Sequence, residues 1–116
     1  MTNDTIHFRG RYLSMLESDG WEFVSRSNAN CVVAMVAVTA GNELVLVEQY
    51  RKPVDAAVIE SPAGLVGDHE DPDESVLVAA ARELEEETGY TAKQLELLME
   101  CPSSAGMSDE VISFVV

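Results

Sequence analysis

The feature that most constrains this chain is a single helix, capped at both ends and crowded with carboxylates. It lies in residues 64–90, GLVGDHEDPDESVLVAAARELEEETGY. Asp71 can cap its start, Pro72 suits a first helical position, and Glu74 stands three residues after Asp71. Leu77, Ala80, Ala81, Leu84 and Thr88 recur at helical spacing and predict a packing face. Thr88 and Gly89 close the helix, with glycine where a left-handed cap is wanted.

On such a helix Glu83, Glu86 and Glu87 fall at i, i+3 and i+4. Like charges one turn apart repel by about 0.2–0.5 kcal/mol per pair. They also crowd the C-terminal half, where the helix dipole disfavours anions. A chain tolerates this on a solvated face, or needs it to hold a hard cation. A glutamate run alone reads as solvated surface. The whole arrangement points the other way: a glycine-bearing loop, a capped helix, an arginine among the acids and a terminal glycine.

The stretch resembles the Nudix box, whose pattern is Gly, five residues, Glu, seven residues, Arg-Glu-Leu-x-Glu-Glu-x-Gly and an apolar residue. Glu74, Arg82, Glu83, Leu84, Glu86, Glu87, Gly89 and Tyr90 match in type and spacing. One departure is visible: nine residues, not five, separate Gly64 from Glu74. Glu70 would satisfy the glycine spacing but sits too far from Arg82, so Glu74 is taken as the box acid and Gly-Asp-His-Glu-Asp as a loop expansion. The implied fold class is α/β, an α/β/α sandwich with a mixed β-sheet and the box as its loop and helix.

Composition narrows the partners. The chain has 116 residues, 47% of them hydrophobic, which suits one small globular domain. Its net charge of −14 argues against nonspecific nucleic-acid binding, which depends on basic contacts to phosphate, and against an anionic membrane surface. An anionic substrate would need a local basic site or a metal. Cys31 and Cys101 stand in neither a CxxC nor a zinc spacing and read as buried free thiols. With no basic start leading into an apolar run and no membrane-length apolar stretch, a cytoplasmic location is expected.

Along the chain, residues 1–10 read as polar and loose at the very end. Residues 11–16 and 21–26 read as two strands of a short arm, joined by a turn at Glu17-Ser-Asp-Gly20. Residues 31–39 predict a central strand buried on both faces. Residues 43–49 return as its hairpin partner after Ala40-Gly41-Asn42. Arg51 and Lys52 form the one adjacent basic pair, a solvated loop end or an anion contact. A short strand at 57–60 leads to a loop at Ser61-Pro62-Ala63-Gly64, and strands at 94–101 and 110–116 follow the helix. The apolar last strand has no covering layer, so either a partner chain covers it or, the favoured expectation, the C-terminal part of the domain lies outside these residues. His7 and His69 read as isolated surface residues.

The chemistry follows from the carboxylates. An all-oxygen cluster beside a backbone carbonyl suits Mg²⁺ or Mn²⁺, which share their shell with substrate phosphates. The resemblance implies roles by position: Glu83 and Glu87 as principal metal ligands, Glu86 assisting with metal or water, and Arg82 orienting them. Outside the box the chain is most similar to the ADP-ribose pyrophosphatase branch. Glu60-Ser-Pro-Ala-Gly64 resembles a segment whose alanine carbonyl completes a metal site, here Ala63. Glu48-Gln-Tyr-Arg51 resembles a strand end whose arginine contacts phosphate or ribose. Trp21-Glu22-Phe-Val-Ser-Arg26 resembles a segment whose Trp stacks on adenine and whose Arg reaches substrate from the neighbouring subunit of a homodimer. Trp21, Glu22, Arg26, Arg51 and Glu60 are therefore the expected substrate contacts. The implied reaction is Mg-dependent hydrolysis of a nucleoside diphosphate-sugar, first ADP-ribose to AMP and ribose 5-phosphate. A hydrolase for another nucleotide sugar such as GDP-mannose and a noncatalytic nucleotide-binding module are the alternatives.

Overall fold

Strands dominate the fold. A computed structural model describes residues 4–29, 31–67 and 71–116. The expanded loop's Asp68, His69 and Glu70 lie outside the described residues. Strands β1 (Asp4–Arg9), β2 (Leu13–Ser18) and β3 (Trp21–Arg26) form an antiparallel three-stranded arm. Residues 4–9, for which no strand was expected, pair along the free edge of β2. Asp19 and Gly20, both at positive φ, make the two-residue turn that matches the twist of β2 and β3.

The body is a mixed four-stranded sheet in the order β7-β4-β9-β8. Here β4 is Cys31–Met35, β7 Ala63–Val66, β8 Leu97–Pro102 and β9 Val111–Val115. Strands β4 and β9 run parallel and the other pairs antiparallel. The β-branched run is central as expected, yet it ends at Met35 and does not continue to residue 39. Its return segment pairs back just beyond β4, where a Val38–Leu44 bridge is flanked by Thr39 N donating to the Glu43 carbonyl and Val45 N to the Ala37 carbonyl. Both edges of β4 are already taken by β7 and β9, so residues 43–49 have no ladder to join there. They continue instead into β5 (Val47–Arg51), which pairs with β6 (Ala56–Glu60).

The segment expected as a loop at 61–64 is half strand. The Pro62 carbonyl accepts from the Met35 N–H at 2.8 Å, which docks the chain on β4 and starts β7 at Ala63. Helix α1 spans Val76–Thr88 and lies on this sheet. Its cap is Ser75, whose Oγ accepts from Val78 N, and not Asp71. Asp71 closes a turn onto Asp73 N instead. The reason is that Glu74 is committed to Arg82 and must precede the helix to reach it.

The core joins Val33, Met35, Val66 and Val115 of the sheet to Ala79, Ala80 and Leu84 of α1. Ala79 takes the buried place expected for Leu77, which is exposed. Gly89 ends the helix at φ 80°, donating its N–H to the Glu85 carbonyl. Among the described residues one α-helix covers the sheet, so the sandwich is represented here by one helical layer. Cys31 and Cys101 are free thiols, both half-buried.

Candidate active site

The site is built where α1 crosses β7. Arg82 is its hub. Its Nε and one terminal nitrogen form a two-point pair with Glu74, at 2.8 and 2.9 Å. The other terminal nitrogen donates to Glu83 at 2.9 Å and to Glu86 at 3.4 Å. The Leu65 carbonyl of β7 accepts a further bond at 3.3 Å. One guanidinium thus ties the loop before the helix, the helix and the sheet together, using the fork geometry that suits carboxylates.

Burial separates the carboxylates. The Glu74 side chain is only 5% exposed and Glu83 14%, whereas Glu86 is 59% exposed. The hydrogen bond from Arg82 holds the Glu74 carboxyl below its usual pKa despite its desolvation. Burial pushes the Glu83 carboxyl up; Arg82 opposes this, and the charges of Glu86 and Glu87 add to it. Two glutamates nine residues apart are thereby driven in opposite directions.

Gly64 decides how closely α1 approaches. A Cβ at that position would overlap the Glu83 side chain. Only a residue without one lets this carboxylate lie against β7. Glu87 reaches the same strand one residue earlier, its Oε2 accepting from Ala63 N at 3.2 Å. Arg51 makes a two-point pair with Glu60 at 2.7 and 2.9 Å. That hydrogen bonding raises the Arg51 pKa, and the charge on Glu87 adds to it, so the β5–β6 hairpin shares the electrostatic field of the box helix. Glu83, Glu86 and Glu87 with the Ala63 backbone form an all-oxygen donor set. Its donor chemistry is the kind a hard divalent cation takes, and its carboxylate oxygens do not all lie within 4.8 Å of one another.

The arm residues are held elsewhere. Trp21 is 63% exposed and its Nε1 donates to the Gly106 carbonyl at 3.0 Å. Arg26 pairs with Glu110 at 2.8 Å, where β9 begins, while Glu87 meets Ala63 toward the other end of the sheet. The structure thus gathers Ala63, Arg82, Glu83, Glu86 and Glu87 where α1 meets β7, places the Arg51–Glu60 pair within electrostatic reach of Glu87, and leaves Trp21, Glu22 and Arg26 apart from them. His7 bonds Glu17 at 2.8 Å, and these two with Glu22 are the trio of ligand-type groups within 4.8 Å among the described residues. That trio is solvent-facing on the arm; on the box helix Glu83 is packed against a strand, and Arg82 orients Glu83 and Glu86. Sequence reasoning missed Gly106, Asp109 and Glu110, whose spacing carried no pattern beyond a turn-rich loop.

Removing the Glu74 anion tests the hub. Glu74→Gln should cost about 1–3 kcal/mol in urea denaturation at neutral pH, the range for breaking a buried charge-assisted bond. Because the folded pKa of Glu74 is depressed, its contribution is fully present above the usual 4.5 and is lost as pH falls through the lower folded value. The gap between wild type and variant should therefore close in acid. A gap that widens in acid would overturn the pairing.

The NUDIX domain model matches residues 29–115. The chain belongs to the NUDIX family. It is 48% identical over 84 residues to a methanol dehydrogenase activator of Bacillus methanolicus, covering 72% of this chain and 43% of that protein. It is 42% identical over 80 residues to an ADP-ribose pyrophosphatase of Bacillus subtilis (strain 168), covering 69% and 41%. A solved structure described as an ADP compounds hydrolase superposes with a TM-score of 0.76 at 25% identity, over 98% of this chain and 63% of that one. The chain thus spans about two fifths of the length of these two curated relatives. Among the described residues no helix is long and apolar enough to cross a membrane.

Proposed function

We propose that the protein hydrolyses the diphosphate of a nucleoside diphosphate-sugar, first of all ADP-ribose, with Mg²⁺ or Mn²⁺ as its cofactor. The observation that carries this reading is the carboxylate set of α1, in which Arg82 orients Glu83 and Glu86 and Glu83 is pressed against β7 at Gly64. Similarity to an ADP-ribose pyrophosphatase and to an ADP compounds hydrolase supports the substrate class. A bound divalent cation supplies charge neutralisation at the diphosphate and acidifies water. In this reading Glu83 and Glu87 are its principal ligands, Glu86 assists, and the Ala63 carbonyl completes the set. Arg82 keeps these carboxylates aimed and spaced. Arg51, held by Glu60, offers a phosphate or ribose contact, and Trp21, Glu22 and Arg26 serve the nucleotide from the arm. The reading further takes the chain as a cytoplasmic single domain that pairs as a homodimer, supported by the exposed apolar Phe8, Leu13 and Met15 of the arm.

Incubating the full chain with ADP-ribose and Mg²⁺ should yield equimolar AMP and ribose 5-phosphate by mass spectrometry. The same Mg²⁺ should raise the melting temperature by mass action. Cleavage of another nucleotide sugar alone would move the substrate within the class. A second reading, a noncatalytic nucleotide-binding regulator, is favoured by the relative named a methanol dehydrogenase activator. It predicts nucleotide-dependent stabilisation with no product.

A further inference from the structure

We infer that the 103–110 loop is the positioning element of the arm, with Glu110 fixing Arg26 and the Gly106 carbonyl fixing the indole of Trp21. The inference rests on the proposed hydrolase reading only for the use it gives these two side chains. The contacts follow β3 closely. Trp21 Nε1 donates to Gly106 O at 3.0 Å, Ser25 Oγ to Asp109 at 2.8 Å, and Arg26 Nε to Glu110 at 2.8 Å. Between them, Val24 N donates to Met107 O at 2.8 Å, and Val24 O accepts from Asp109 N at 3.3 Å. In sheet pairing the arm is a separate sheet, so this strand-to-loop ladder is what fastens it to the body.

The loop is itself folded before it grips anything. Met107 N and Ser108 N both donate to the Ser104 carbonyl, and Glu110 N donates to Ser108 Oγ. Ser103 N closes the base onto the Glu110 carbonyl at 3.2 Å, directly beyond the paired Pro102 and Val111. A loop with its own internal bonds loses little entropy on gripping the arm. The Arg26–Glu110 pair is half-buried, and it engages Nε. A guanidinium carries five N–H donors, so the two terminal nitrogens retain donors for an anion. Glu110 therefore orients a binding arginine in the way that Glu60 holds Arg51.

Trp21 is the one tryptophan of the chain, so its emission reports this junction independently of turnover. Glu110→Ala and Glu110→Gln in the full chain should be compared by acrylamide quenching of Trp21 and by KM and kcat for ADP-ribose. In Glu110→Ala, quenching should rise. KM should rise about tenfold with kcat held, the factor carried by loss of one charge-assisted bond. Glu110→Gln keeps an acceptor oxygen and should recover most of both. Wild-type quenching and KM in Glu110→Ala, or equal falls in kcat for both variants, would overturn the inference. If wild type cleaves no nucleotide sugar, the hydrolase reading fails, and the quenching comparison still decides whether the loop holds the arm.

Discussion

Glu87→Gln is expected to lower turnover on ADP-ribose by orders of magnitude while leaving the fold intact. The side chain sits near the end of α1, and one oxygen accepts a hydrogen bond from Ala63 N. Glutamine keeps an oxygen of the same reach, so the contact with β7 survives. What disappears is the charge. Loss of an outer partner of a metal ligand costs roughly 10–100-fold. Loss of a ligand should exceed that. Removing one anion from the crowded Glu83, Glu86 and Glu87 set should also relieve repulsion, by about 0.2–0.5 kcal/mol for each pair broken. Thermal stability without metal should therefore hold or rise slightly, and the gain in melting temperature on adding Mg²⁺ should shrink. Steady-state turnover measured beside a melt with and without Mg²⁺ checks both halves. Wild-type turnover in the variant would remove Glu87 from the site.

Gly64→Ala is expected to damage activity as severely through a single methyl group. The new Cβ would fall on the Glu83 side chain, so either the carboxylate swings out or α1 lifts from β7. The first displaces a proposed ligand; the second loosens the core at Leu84 and Val66. Displacements of about 1 Å at a reacting centre cost on the order of 10²-fold. Overpacking a well-filled contact costs about 1–3 kcal/mol. Urea denaturation and kcat should both register the change. Gly20→Ala is the useful comparison: a Cβ there meets nothing within 4 Å, and the strain is confined to the positive φ of an arm turn. Full activity in Gly64→Ala would mean that Glu83 does not need its place against the strand.

These two residues mark how much could be read from the sequence. The spacing of Arg82, Glu83, Glu86 and Glu87 fixes their relative angles on a helix, because 3.6 residues per turn is a local rule. The glycine at 89 and the apolar run of β4 were legible for the same reason: backbone freedom and periodicity belong to short windows. The start of the helix was less so. Asp71-Pro72 and Ser75 are both competent caps locally, and the choice between them came from Glu74 turning toward Arg82, eight residues ahead.

What tertiary structure decided is everything that depends on a strand having two edges and a side chain having one partner. The return of residues 43–49 pairs only with the segment just beyond β4, because β7 and β9, from distant parts of the chain, had filled both sides of the strand itself. Residues 4–9 became a strand because β2 offered an edge. The exposure of Leu77 and the burial of Ala79 follow from where α1 meets the sheet. The pairing of Arg26 with Glu110, 84 residues apart, has no sequence signature at all. Helical spacing alone placed the carboxylates beside one another, and only the packing of α1 on β7 pressed Glu83 against a glycine and left Glu86 and Glu87 exposed.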